Sequence, residues 1–275
     1  MKNFRMYLLA VAALLIAACR PVAQENNHIV NLEAQPFSTI DIHSDFIVTL
    51  RQADTYSVQI RLPAEMKEYL EAGIKGKRLQ VKFSNNTSGR ISRNSKSKEC
   101  RPEIKITAPS FEKIDISGVV ELTLAGRFEL NTAKIEASGA SHIFGDEIQA
   151  ETLELDASSA SDIQLKLFAD CLEAEASGAS HIELEPLTDR IGTFLSLDVS
   201  GASHVDTKQL PYNSVEADIS GASHADVFAV KELKAEATGA SHFRYIDSSE
   251  LRDKDLHSSG VSSIKCKQAK RIIKK

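Results

Sequence analysis

The chain has no Trp and only 5 Tyr among its 275 residues, so the aromatic platforms on which sugars or bases stack are scarce. Four Cys are too few to staple a domain of this length with disulfides. Charge of neither sign dominates: 33 Lys and Arg stand against 38 Asp and Glu, a net charge of −5. That balance excludes the basic footprint of a nucleic-acid-binding domain, and no nucleic acid is expected as a partner. Beyond the first eighteen residues no apolar run is long enough to span a bilayer. What is present, 42% hydrophobic and 26% charged residues, is ordinary for a folded chain and excludes wholesale disorder.

Residues 1–18 read as a signal peptide. Lys2 and Arg5 form a short basic start, and Met6 to Ala18 is apolar apart from the Tyr7 hydroxyl. That core is too short for a permanent span but suits a signal sequence. It ends Leu15-Ile16-Ala17-Ala18-Cys19, which resembles a bacterial lipobox. The resemblance implies cleavage before Cys19, acylation of its thiol, and attachment to a membrane by lipid without a spanning helix. An ordinary secretory signal with an incidental Cys is the alternative. Arg20 is not the Asp associated with inner-membrane retention, so an outer-membrane lipoprotein of the cell envelope is expected. Residues 19–29 follow as a tether. Cys100, Cys171 and Cys266 would then lie where disulfides are permitted, and three thiols allow at most one intramolecular pair.

From residue 114 onward one phrase recurs. Ser138-Gly139-Ala140-Ser141-His142 returns as Ser177 to His181, Ser200 to His204, Ser220 to His224 and Thr238 to His242. Degenerate copies begin at Ser117, Ser158 and Ser259, so the glycine position falls at 118, 139, 159, 178, 201, 221, 239 and 260. A period of roughly twenty residues indicates a solenoid. Each copy follows strict alternation, as in Leu172-Glu-Ala-Glu-Ala176 and Val215-Glu-Ala-Asp-Ile219, which is the signature of a strand with one buried face. No helical pattern of ten residues intervenes. The expected fold is all-β, a parallel β-helix of about 20 residues per coil. At roughly 4.8 Å per coil the repeats predict a rod about 34 Å long. The Ser, Gly and Ala corners suit backbones that stack closely at one place in every coil.

Residues 30–113 lack the phrase but remain β-rich. Thr39–Ile42, Phe46–Leu50, Ser57–Ile60, Leu79–Phe83 and Glu103–Thr107 read as strands, Pro63–Ala72 as a short helix, and Ser84–Glu99 as a solvated loop. This part is expected to cap the repeat region, residues 114–266, without forming a separate domain. Residues 267–275 read as a basic tail.

The order of features resembles one family. Lipobox, strand-rich opening, Ile106-Thr107-Ala108-Pro109 leading into Ile114-Asp-Ile-Ser-Gly118, then serial Ser-Gly-Ala-Ser corners are similar to the head GIN domain family, labelled as autotransporter adhesins. The resemblance covers roughly residues 32–266. It implies a right-handed β-helix and brings no catalytic residues. This chain departs in carrying His after most corners, and in having Tyr245-Ile-Asp-Ser-Ser where the family has a Tyr-x-Gly-x-Pro-like phrase.

Stacking turns each repeat position into a row. Three residues before the corner stand Asp115, Glu136, Asp156, Glu175, Asp198, Asp218 and Glu236, followed by His257. Like charges facing each other in a sheet repel, on the order of 1 kcal/mol per neighbouring pair in water before screening. Three residues after the corner a second row runs Glu121, His142, Asp162, His181, His204, His224, His242 and Ser263. Neighbouring imidazoles at strand spacing can share a Zn²⁺, and near pH ~6.5 the row could charge together. For each row two readings stand: solvated side chains that splay apart, or a surface for divalent cations or a basic partner. A non-catalytic binding module with a glycan, an envelope protein or divalent cations as partner is expected, and no cofactor. A polysaccharide-active enzyme is the competing class, but Arg127, Arg190, Arg244 and Arg252 occupy unrelated repeat positions.

Overall fold

The computed structural model describes residues 27–84 and 101–268. The signal segment, Cys19, most of the polar stretch read as a loop, Cys100 and the end of the basic tail lie outside the described residues. The chain forms the expected solenoid, in which successive coils pair in parallel. Its coils are built from β7 (Lys113–Ala137), β8 (His142–Ala157), β9 (Asp162–Ala176), β10 (His181–Pro186), β11 (Gly192–Val199), β12 (His204–Ile219), β13 (His224–Ala237), β14 (His242–Asp247), β15 (Asp253–Ser258) and β16 (Ser263–Gln268).

Coil geometry follows from the exposure pattern. Along β8 buried and outward residues alternate, with two interruptions where exposed residues adjoin, Asp146–Glu147 and Glu151–Thr152. Those pairs are bends. With the Ser-Gly corner they give each coil three turning points around one apolar interior. Two stacked columns show how that interior is filled. Before the corner run Ile135, Leu155, Ala174, Leu197, Ala217 and Ala235. After it run Ile143, Ile163, Ile182, Val205, Ala225 and Phe243, all 0% exposed. In this column the small Ala225 stands beside the large Phe243 of the next coil.

The corners explain the choice of residues in the phrase. Gly201 has φ +75°, and a Cβ there would lie 2.5 Å from the carbonyl oxygen of Gly178 in the preceding coil. The second serine of six successive corners, Ser141 to Ser241, is buried, and the hydroxyls of Ser141, Ser161, Ser180, Ser223 and Ser241 bond carbonyls of their own corner or of the preceding coil. Ser161 Oγ shares its one proton between Ala137 O at 3.0 Å and Ser158 O at 2.9 Å, and Ser180 Oγ donates to Ala157 O at 2.9 Å. Ala137 O and Ala157 O also accept the backbone N–H of Ser158 and Ser177, both at 2.9 Å, so the hydroxyl adds a second bond to each.

The opening strands are β1 (Asn27–Asn31), β2 (Thr39–Gln52), β3 (Ser57–Pro63), β4 (Leu70–Lys75), β5 (Arg78–Phe83) and β6 (Glu103–Ala108). β2 is one continuous strand and forms the first coil, in parallel register with β7. Two antiparallel additions close that end: β6–β3–β1 on one side and β5–β4 on the other. The short helix expected at Pro63–Ala72 is a 3₁₀ segment at Ala64–Tyr69, because β4 begins at Leu70 to pair with β5. Likewise β1 occupies Asn27–Asn31, part of the stretch read as a tether, where it pairs with β3. Cys171 and Cys266 are free thiols. No helix among the described residues is long and apolar enough to cross a membrane.

Candidate functional site

Both rows form in the predicted register. The first pairs Glu136 with Asp156, Asp156 with Glu175, Glu175 with Asp198, Asp198 with Asp218, Asp218 with Glu236, and Glu236 with His257. At its upper end Asp115 meets Asp41 of β2, a member that the sequence reading omitted. The Ile-Asp-Ile shared by residues 40–42 and 114–116 is the signal that could have found it. Asp115, Glu136 and Asp156 are half-buried, whereas Glu175, Asp198, Asp218 and Glu236 are exposed.

The structure relieves the repulsion unevenly. Lys113 and Lys134 both reach Glu136, and Lys134 also bonds Glu154. Burial alone would raise the Glu136 carboxyl, but the two lysines hold it below the usual carboxylate range. Asp115 is pushed up by burial and then by the charges of Glu136 and Asp41. Burial likewise raises Asp156 and Glu175, with further upward pushes from Glu136 and Glu154 on the former and from Asp156 and Asp198 on the latter. These carboxyls lessen the repulsion by keeping protons to higher pH.

Above the row, the His43 ring bridges the Asp41 carboxylate and the Ser117 hydroxyl. Gln80 Nε2 donates to the other Asp41 oxygen at 3.1 Å. These three groups are those of a hydrolytic triad; His43 and Ser117 are cross-strand neighbours on β2 and β7, and Asp41 is buried. They serve as a polar cap where the carboxylate row ends.

The second row is a stack of rings. His181 and His204 have centroids 5.0 Å apart, His204 and His224 4.8 Å, and His224 and His242 6.2 Å. His142 stands apart from these four because Asp162 occupies the coil between. Burial lowers the His204 pKa, and the neighbouring imidazoles of His224 and His181 lower it further. Two residues beyond the histidines runs a row that the sequence reading did not weigh: Glu183, Asp206, Asp226, Arg244 and Lys265. The repeated His-x-Asp of His204-Val-Asp206 and His224-Ala-Asp226 is its signal. Asp226 is almost fully buried and is gripped by Arg244 through Nε and Nη2, both at 2.5 Å, with His224 Nε2 at 3.2 Å. Burial would raise its pKa, but the Arg244 guanidinium holds it below the usual range. Asp206 is bonded by the backbone and side chain of Lys208.

Elsewhere, two shallow cavities of about 710 and 820 Å³ share Glu129 and Asn131 at a bend. There the Arg190 guanidinium stacks 3.9 Å over the Phe168 ring.

The comparisons with known proteins agree with this geometry. A "putative adhesin" of Parabacteroides distasonis ATCC 8503 aligns with a TM-score of 0.73 at 13% identity, covering 90% of this chain and 98% of the other. A "putative lipid binding protein" of the same organism aligns with a TM-score of 0.72 at 16% identity, covering 88% and 97%. A "putative adhesin" of Bacteroides fragilis NCTC 9343 gives 0.63 at 19% identity, covering 88% and 98%. At such identities the likeness is one of fold. Among curated proteins none matches. The sequence model of the family described as "Putative auto-transporter adhesin, head GIN domain" matches residues 36–248, most of the chain. The protein therefore belongs to the head GIN domain family.

Proposed function

We propose that the protein is a lipid-anchored, extracytoplasmic binding module of the cell envelope, adhesion-type in character and non-catalytic. One observation carries this reading: successive coils present the same kind of side chain at the same place, in rows that run along the solenoid. Contacts that repeat every ~4.8 Å suit an extended partner, such as an envelope glycan or protein. The adhesin description of the family supports a surface role. Lipid on Cys19 would lie no more than about 28 Å of extended chain from β1, which would hold the capped end of the solenoid nearest an outer-membrane leaflet. Binding is favoured over a polysaccharide-active enzyme because the rows repeat one kind of side chain from coil to coil, where catalysis needs unlike groups gathered at one place. Arg190 shares a shallow cavity with Glu129, Glu151 and Asp170 but is stacked on Phe168 there, and Arg244 lies apart from it, closed onto Asp226.

A second reading, cation-dependent binding through the rows, is favoured by the convergence of His204, Asp206 and Asp226. The test of the main reading has two arms. In the native host, wild type should incorporate labelled fatty acid and sediment with outer membranes, while Cys19→Ala should do neither. Purified Cys19→Ala protein should bind an envelope polysaccharide or protein saturably without altering it. An unacylated wild type overturns the anchor, and turnover of a polysaccharide panel overturns the binding role.

A further inference from the structure

We propose that His204, Asp206 and Asp226 form a binding site for one divalent first-row transition ion such as Zn²⁺. The proposal rests on the cation-dependent reading and narrows it to one place and one ion class. In β12, His204 and Asp206 are two residues apart and so share a face. The next coil sets His224 beside His204 and Asp226 beside Asp206 in strict register. One donor atom from each of His204, Asp206 and Asp226 lies within 4.8 Å of the others. Donors in a tetrahedral Zn²⁺ shell, each at about 2.0–2.1 Å, sit about 3.4 Å apart. The donor separations therefore need to close by no more than about 1.4 Å, which side-chain rotation supplies. One imidazole with two carboxylates matches Zn²⁺ and its neighbours, while Ca²⁺ takes six to eight oxygens.

The same arrangement occurs in no other coil of the histidine row. Two residues beyond His142, His181 and His242 stand Phe144, Glu183 and Arg244. Only the coils of His204 and His224 place Asp against Asp. Asp226 is oriented before any ion arrives, by its burial and by the His224 ring. The cations that now hold the two carboxylates can be displaced, because the side chains of Lys208 and Arg244 are 42% and 44% exposed and can swing into solvent. Arg244 thus competes with the ion for Asp226.

The test uses the tag-free chain with Zn²⁺ in calorimetry and Co²⁺ in visible absorption. One ion per chain is expected in wild type. Affinity should fall at least tenfold in His204→Gln and in Asp206→Asn, and rise about tenfold in Arg244→Gln, where the competing charge is gone. Arg244→Gln should also melt lower than wild type without metal and regain more on adding Zn²⁺, which keeps the result readable if that variant is less stable. Absence of binding by both wild type and Arg244→Gln up to millimolar Zn²⁺ overturns the site. So does binding that survives both His204→Gln and Asp206→Asn. A Ca²⁺ effect that is lost in Asp198→Asn, with no Zn²⁺ effect, overturns this site while leaving the broader cation reading in place.

Discussion

Gly201→Ala measures what close stacking of the coils is worth. The new Cβ would sit 2.5 Å from the Gly178 carbonyl oxygen and 2.9 Å from the Gly178 nitrogen, both backbone atoms that cannot rotate away. The backbone at Gly201 has φ +75°, which costs an L-residue about 1–2 kcal/mol. Relief of the clash by shifting the coils adds about 1–3 kcal/mol. The strained carbonyl also accepts from Ala202 N at 2.7 Å, so that hydrogen bond weakens as the coils part. Gly76→Ala is the matched control: its φ is +61°, but nothing lies within 4 Å of the added Cβ. It should lose only the backbone cost, about 1–2 kcal/mol. Urea unfolding of both variants isolates the stacking contribution. In thermal melts of a chain this size, each kcal/mol corresponds to about 2–4 °C. Hydrogen exchange should quicken at Ala202 and Ala222, whose N–H groups bond Gly178 O and Gly201 O on the two sides of the substituted coil. Equal losses in the two variants would refute the close-approach argument.

Three further outcomes follow from the same structure. Ser159 occupies a corner glycine position with φ +65°, which shows that a coil can accommodate a Cβ; Ser159→Gly should therefore gain about 1 kcal/mol, and a loss of stability would show that its side chain contributes. Asp115, Asp156 and Glu175 have raised pKa values in the folded chain, so their stabilisation is present when they are protonated and is lost as pH rises through those values; Glu136 and Asp226, held low, act in the opposite sense, losing theirs as pH falls. Asp156→Asn should accordingly raise the urea midpoint near about pH 7 and leave it little changed near about pH 3, and a pH profile identical to wild type refutes the row repulsion. Arg101 bonds Asp45 at 2.7 Å, Glu121 at 3.3 Å and the carbonyls of Phe46 and Val119 at 3.2 and 2.8 Å. Arg101→Ala should cost about 2–3 kcal/mol in urea unfolding, less than a fully buried pair because both acids keep some exposure, and Arg101→Lys should restore under half of it.

A phrase repeated once per coil was enough by itself to determine the solenoid and the register of its rows. When the chain returns to the same point about every twenty residues, positions one period apart become neighbours, so His181, His204, His224 and His242 had to stack. Period-two alternation likewise determined which residues of each strand face inward. Only the tertiary structure decided how the rows end and how their charge is met. Asp41 joins the carboxylate row from 74 residues away, across a coil whose corner has Ser44 in place of glycine. β1 and β4 lie in antiparallel caps whose pairing depends on partners that no periodicity specifies. Which cation serves which carboxylate, Lys113 and Lys134 on Glu136 or Arg244 on Asp226, depends on side-chain reach between coils. A repeat determines where a side chain starts, but its length, rotamer and competitors decide what it touches, and those are properties of the packed surface.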